Sequence, residues 1–357
     1  SHFQMNSLAQ AEEYLSRAIK VGANTAQARR VLTVTYLRLG QPAKALETLS
    51  PLLETADEDS DLLALAGQVY MQNGQPKKAE GYFARASALD PNDMAKKTSL
   101  ALTHIASGRP DAGLSELERI SAADGGIKAD MALIASAIRG KDYAKALKAI
   151  DVLERKKADD PLPFALRGMV LTAKGDVLAG RKNYEKALAL KPSYFPAAAS
   201  LAALDMRDRK PEDARRRLEG VLAADPKNVL AMLALAEISG RTGASSDVVS
   251  GQISKAIQAA PTSVMARLAL INHHLSIKDA KKAVAAAQDA LGSIPNEPRL
   301  LDALARAQMA AGDPNQALAT LQKVEAIAPD SPQLYLRMAE VQYAVKDKDG
   351  AAKSLRR

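Results

Sequence analysis

Glycine and proline recur along this chain at one fixed interval. Gly40, Gly74 and Gly108 are 34 residues apart, as are Pro192 and Pro226; after a step of 35, Pro261, Pro295 and Pro329 resume the 34-residue spacing. A chain self-similar at such a period is built from stacked helical units, each too small to bury its own apolar face. Length alone points elsewhere: 357 residues at about 150 per domain suggest two or three ordinary cores. Composition sides with the period, since aromatics are only 4% and Trp is absent, while Ala and Leu recur at helical spacing throughout.

Each unit specifies two helices and two turns. A first helix ends at Gly40-Gln41-Pro42, Gly74-Gln75-Pro76 or Gly312-Asp313-Pro314. Gly accepts the left-handed backbone just past a helix end, and Pro fits the first turn of the next helix, where a missing N–H costs nothing. The second helix runs to Asp90-Pro91-Asn92, Lys191-Pro192-Ser193, Asp225-Pro226-Lys227 or Ala328-Pro329-Asp330, where Pro stops it and Asn, Asp or Ser caps the next helix. Small residues let the paired helices approach: Gly67, Ala101, Gly168, Ala202, Ala236, Ala305 and Ala339 in first helices, and Ala45, Ala79, Gly113, Ala146, Gly180, Ala214, Ala283, Ala317 and Ala351 in second helices. Four residues after most of the latter comes a large side chain on the same face: Leu49, Phe83, Leu117, Ile150, Tyr184, Leu218, Leu321 and Leu355. This pattern resembles the tetratricopeptide-repeat (TPR) family over essentially the whole chain. The resemblance implies an all-α solenoid, a right-handed superhelix of antiparallel helix pairs.

Aligning the units gives a half repeat at residues 6–25 and about ten repeats, with first helices starting near 26, 60, 94, 127, 161, 195, 229, 264, 298 and 332. The opening Ser1-His2-Phe3-Gln4-Met5 reads as the remnant of an expression vector. Three places break the strict period: Gly125-Gly126, the charged stretch 155–160, and Gly243 to Asp247. Tyr14, Leu15 and Ile19 are expected to pack on the first complete repeat. The far end is expected to fray first, because no further unit follows to cover Leu334, Met338 and Leu355.

With no Cys in the chain, disulfide scaffolds, thiolate metal sites and cysteine nucleophiles are excluded. No apolar run reaches the roughly 18 residues of a spanning helix, so the stretch is expected to be soluble. The net charge of +8, from 49 basic and 41 acidic residues, is spread thinly. Its densest cluster, Arg207, Arg209, Lys210, Arg215, Arg216 and Arg217, is interleaved with Asp205, Asp208, Glu212, Asp213 and Glu219. That reads as a solvated, salt-bridged face rather than a phosphate track, and no aromatic platform for bases lies near.

Nothing in the sequence carries catalysis. There is no Gly-x-Ser-x-Gly, no phosphate-cradling Gly-rich loop, no dinucleotide fingerprint and no His-Glu-x-x-His. His273 and His274 are adjacent on a helix, so their side chains diverge by about 100° and do not grip one metal. His104 stands where Tyr36 and Tyr70 stand in the preceding units and reads as packing. The chain is therefore expected to be no enzyme and to need no cofactor or metal.

The functional surface is expected on the inner face lined by first helices. Alignment places there Arg30, Val34, Leu37 and Arg38; Gln68, Met71 and Gln72; Thr98, Leu102 and Ile105; Met131, Ile138 and Arg139; Met169 and Thr172; Met206 and Arg207; Glu237 and Arg241; and Asn272, Leu275, Arg306, Met309, Arg337 and Tyr343. Met repacks easily and Arg pairs with carboxylates, so this is an adaptable amphipathic groove for a protein or peptide, with no nucleic acid expected. A clamp for an acidic peptide C-terminus is disfavoured, because Asn272 is the only Asn at the matching place and Leu268 stands where a Lys is required. The Asn ladder of sugar-transferring TPR enzymes is missing too.

Four stretches carry a narrower likeness: the residues from Tyr184 to Ala198, those from Arg207 to Arg215, those from Ala223 to Glu237, and Gln308-Met309-Ala310-Ala311-Gly312-Asp313-Pro314. They resemble the long TPR lipoproteins of bacterial exosortase (PEP-CTERM) systems, found beside exopolysaccharide genes in Gram-negative bacteria. The chain departs from them in showing neither a lipid-accepting Cys nor a leader. The resemblance implies an internal fragment of a periplasmic protein lipid-anchored to the outer membrane, a scaffold for surface-protein sorting or polysaccharide export with envelope components as partners. The rival reading is a carbohydrate-binding or export-channel-associated solenoid. Sugar rings favour aromatic platforms, and the groove residues include Tyr343 alone, which favours a protein or peptide.

Overall fold

The computed structural model describes residues 2–22, 25–54, 59–123, 126–328 and 331–357. Ser1, the turn at Gly125 and the Pro329-Asp330 turn lie outside them. All regular structure among the described residues is helical. Helix α1 (His2–Lys20) leads. First helices are α2 (Ala26–Arg38), α4 (Ser60–Gln72), α6 (Met94–Ala106), α8 (Lys128–Arg139), α10 (Pro161–Lys174), α12 (Phe195–Arg207), α14 (Val229–Arg241), α16 (Val264–Ser276), α18 (Pro298–Ala310) and α20 (Pro332–Ala344). Second helices are α3 (Pro42–Leu53), α5 (Pro76–Leu89), α7 (Pro110–Ala123), α9 (Tyr143–Lys156), α11 (Val177–Leu190), α13 (Pro211–Ala224), α15 (Ser246–Ala259), α17 (Ala280–Ser293), α19 (Pro314–Ile327) and α21 (Lys348–Leu355). The chain divides into two compact units, residues 3–191 and 192–357.

Within each unit, each first helix packs on its own second helix, and second helices pack on the next first helix of the same unit. First helices also touch one another, α2 with α4 and α6 with α8 in the first unit, α12 with α14, α14 with α16 and α16 with α18 in the second. This alternation is the architecture of a TPR α-solenoid, and it sets first helices side by side along one face.

The small-large pattern is the core. Leu49, Leu117, Ile150, Leu218 and Leu321 are fully buried, each contributing about 1.5–3 kcal/mol of apolar transfer. Phe83 packs flat against Gly67, where an added Cβ would lie 2.7 Å from the ring. Leu355 departs from the pattern and is exposed. At the start, Leu15 and Ile19 of α1 pack on the cluster around Leu32, Leu49 and Leu63. Tyr14, expected beside them, is exposed instead; the polar residues Glu12 and Ser16 reach the first repeat, through the Tyr36 hydroxyl at 3.0 and 3.2 Å.

Every pair turns in the same way. Gly40, Gly74, Gly108, Lys141, Gly175, Arg209, Gly243, Lys278, Gly312 and Lys346 all have left-handed backbone, with φ from +57° at Lys141 to +102° at Gly175. The amide that follows each reaches back five residues to close the first helix, as from Gln41 to Tyr36 O at 2.9 Å and from Lys210 to Asp205 O at 2.8 Å. Six of the ten positions carry Gly, which adopts this conformation without penalty. Four carry Lys or Arg, so the stacking of the helices holds the turn even where the residue opposes it.

Candidate partner-binding site

The first-helix face of the first unit opens into a cavity of about 760 Å³. Its lining comes from α2, α4, α6 and α8 and the residues that cap them: apolar Val34, Ala64, Leu65, Leu102, Ile127 and Met131, and polar Arg30, Asp61, Gln68, Asp93, Lys96, Thr98, Ser99 and Lys128. Successive lining residues along α4 (61, 64, 65 and 68) follow the three-and-four spacing of a single helix face.

Lys96 is the electrostatic centre of that wall. Its side chain is only 7% exposed, and its ammonium sits 2.8 Å from Asp61, 3.1 Å from Asp90 and 3.2 Å from Asp93, with the Ser60 hydroxyl at 3.0 Å. The hydrogen bond to Asp61 raises the Lys96 pKa against the opposing effect of burial. Burial pushes Asp93 up, but the Lys96 amide, the Lys96 ammonium and the Ala95 amide together hold it below the usual carboxylate range. One buried cation thus ties the start of α4, the end of α5 and the cap of α6. Beside it the Arg30 guanidinium holds Asp59, and that hydrogen bond lowers the Asp59 pKa. Arg30 and Lys96 are therefore committed to their own chain, and Asp61, 81% exposed, and exposed Lys128 are charges that a partner meets on this wall.

In the second unit a cavity of about 580 Å³ is lined by α12, α14, α15 and α16. Phe195, Leu230, Leu233 and Ala234 form an apolar floor, and Glu237, Arg241, Asn272, His273 and Ser276 a polar wall. Glu237 and Arg241 pair at 3.7 Å. The imidazole of His273 lies 3.1 Å from the Ser246 hydroxyl, while His274 points into the stack, its pKa lowered first by burial and then by the neighbouring His273.

Of the residues expected in the groove, the structure brings Arg30, Val34, Gln68, Thr98, Leu102 and Met131 together in the first cavity and Glu237, Arg241 and Asn272 in the second. Arg306 and Arg337 meet on Asp302 beyond it. Leu37 belongs to the core instead, packed with Leu32, Tyr36 and Leu49, and offers no surface. Ile105 and Ile138 lean on the core around Leu117, Ile134 and Ile150, Leu275 on that around Ile271, and Met309 on that around Leu321. Met71, Thr172 and Met206 are half-buried, whereas Arg38, Gln72, Arg139, Met169, Arg207 and Tyr343 are exposed, Arg207 being paired with Asp208 at 3.6 Å. Among the unexpected lining residues, Asp61, Ala64, Leu65, Lys96, Phe195, Leu230 and Leu233 lie in the N-terminal halves of first helices, while Val249 and Ile253 come from α15, and His273 and Ser276 from the end of α16. His104 lies 3.5 Å from Glu116 and 4.0 Å from Glu80, which in turn pairs with Arg109. Among the described residues no helix is long and apolar enough to cross a membrane.

A stack of helical hairpins with an open, amphipathic face of first helices defines an all-α repeat scaffold. Sequence profiles described as tetratricopeptide repeat match residues 2–69 and 308–357, 60–93, and 198–245. The chain is a tetratricopeptide-repeat protein. The crystal structure of yeast Tom70 is similar over 99% of this chain and 88% of its own, with a TM-score of 0.52 at 14% identity. A tetratricopeptide repeat protein from Parabacteroides merdae is similar over 68% of this chain and 90% of its own, at 18% identity and a TM-score of 0.42. MamA from Desulfovibrio magneticus RS-1 aligns over 46% of this chain and 92% of its own, at 16% identity and a TM-score of 0.37. At 14% identity the likeness to Tom70 is one of fold. No protein with a curated description matches the chain in sequence.

Proposed function

We propose that this chain is a non-enzymatic protein-interaction scaffold whose partner docks on the first-helix faces. The observation that carries this reading is the cavity bounded by α2, α4, α6 and α8, where apolar Leu65, Leu102 and Met131 stand open beside exposed Asp61. Such a surface suits an amphipathic segment, which buries its apolar side and leaves its charges at the rim. No aromatic side chain is among the described residues lining this cavity, which favours a protein over a sugar polymer.

The partner class follows from the stretches around Tyr184, Arg207, Ala223 and Gln308. Their likeness to exosortase-associated TPR lipoproteins supports a scaffold in surface-protein sorting and exopolysaccharide export, periplasmic and held to the outer membrane by a lipid anchor outside these residues. A photo-crosslinking residue at Gln68, in the cavity, tests both levels against one at Glu118 on α7, which is exposed and outside it. In the native envelope, the reading expects Gln68 to capture a sorting or export protein and Glu118 not to. Capture of polysaccharide at Gln68 moves the chain to the carbohydrate-binding reading, and capture only at Glu118 removes the groove from the account.

A further inference from the structure

The first-helix face of the second unit carries a charge arrangement absent from the cavity wall of the first. Asp302 and Arg306 lie on α18, one turn apart, and Arg337 on α20. Arg337 donates through Nε to Asp302 Oδ1, while Arg306 Nε lies 3.3 Å from Asp302 Oδ2. The contact of Arg306 with Asp302 is an ion pair without a hydrogen bond from Nε; its donated bond runs from Nη2 to Asn272 Oδ1 on α16 at 3.0 Å. Two guanidiniums therefore share a single carboxylate, which neutralises only one of them. The other charged side chains of α18 and α20, Arg299 and Glu340, are exposed and carry one charge of each sign. About a third of each side chain remains open, 33% at Arg306 and 30% at Arg337.

Resting on the reading of this face as a docking surface, we propose that the Arg306–Arg337 pair receives a carboxylate of the partner, so that the segment docking on the second unit is acidic. A guanidinium presents five N–H donors in a planar fork matched to a carboxylate, and the bonds to Asp302 and Asn272 use few of them. Those bonds also fix both side chains in advance, removing much of the rotamer entropy that binding would otherwise cost. Apolar contact is at hand, because Leu336 and Tyr343 on α20 are exposed. The occupant is thus a peptide segment that alternates apolar and acidic side chains.

Fluorescence anisotropy on the full chain tests this with a fluorescein-labelled peptide of Leu, Ala and Glu and its counterpart with Lys in place of Glu. The acidic peptide is expected to bind, more weakly at high salt, and the basic one not to. Replacing both arginines (R306Q with R337Q) weakens binding about tenfold or more. D302N, which removes the competing carboxylate, tightens it, an effect that a merely structural Asp302 would not produce. Circular dichroism confirms that each variant stays helical, and D302N keeps the test open if the double variant does not fold. Equal binding of both peptides, binding unchanged in the double variant, or weaker binding by D302N overturns the acidic assignment and leaves the scaffold reading in place. If neither peptide binds while alginate, a uronate polymer, does, both the acidic-peptide assignment and the protein-scaffold reading fall.

Discussion

Gly168 on α10 lies against the ring of Tyr184 on α11, where a Cβ would sit 2.7 Å from Cδ1 and 3.0 Å from the Gly180 carbonyl oxygen. The two residues belong to different helices of one pair, and the absence of a side chain at one makes room for the large side chain at the other. Gly168→Leu overpacks this crossing and should cost about 1–3 kcal/mol. Gly81, in the interior of α5 in the same unit, has nothing within 4 Å of a built Cβ, so Gly81→Ala should gain about 0.5–1 kcal/mol through helix propensity. Urea unfolding of the two variants should move in opposite directions; a shared direction would mean that the crossing is not tight.

The left-handed turns yield a second prediction. Arg209 holds φ of +60° at the place where Gly40, Gly74 and Gly108 stand in other repeats. A left-handed L-residue costs about 1–2 kcal/mol, partly offset by the greater freedom glycine has in the unfolded chain. Arg209→Gly should therefore stabilise the protein by about 0.5–1 kcal/mol, and Arg209→Ala should give no such gain. A melting temperature lowered by the glycine would show that the turn is not strained.

The contacts of Arg30 with Asp59 and of Lys96 with Asp93 make stability depend on pH with a definite sign. Asp59 and Asp93 have depressed pKa values in the folded chain, so the stability they confer is present above the unfolded carboxylate value near 4 and is lost as pH falls through that range. The raised Lys96 pKa acts only at the alkaline end. Lys96→Met leaves Asp61, Asp90 and Asp93 without their cation and should cost about 1 kcal/mol at neutral pH, because Asp61 and Asp90 remain open to water. Protonating Asp93 removes its attraction to Lys96 in the wild type, so the gap between variant and wild type should narrow below about pH 4. Chemical denaturation from pH 7 to pH 3 measures it; a constant gap would mean the lost packing of Lys96 matters more than its charge.

The fold class was legible because the same residues recur for a local reason at each turn: Pro76 opens α5, Pro211 opens α13, and Ala79 and Ala214 sit where helices cross. At Lys141, Arg209, Lys278 and Lys346 the turn keeps the same backbone although the glycine is missing, since packing on both sides dictates it. The lining of the cavities was less legible. Sequence reasoning favours conspicuous Met and Arg, such as Met71, Arg139 and Met309, towards the ends of first helices. Depth comes instead from small residues nearer the helix starts, such as Ala64, Ala95 and Ala234, which look the same as the alanines of the core. The Lys96 cluster was hidden for another reason: its carboxylates come from a first helix, the end of a second helix and a cap, segments joined only once the pairs stack.

The central claim is that a partner meets first helices and not second helices. Hydrogen–deuterium exchange of the chain, alone and saturated with the protein captured at Gln68, tests it most directly. The account predicts slower exchange on binding in α4 and α6, residues 60–72 and 94–106, with α5 and α7, residues 76–89 and 110–123, unchanged. Protection confined to α5 and α7 would place the partner on the opposite face and contradict it.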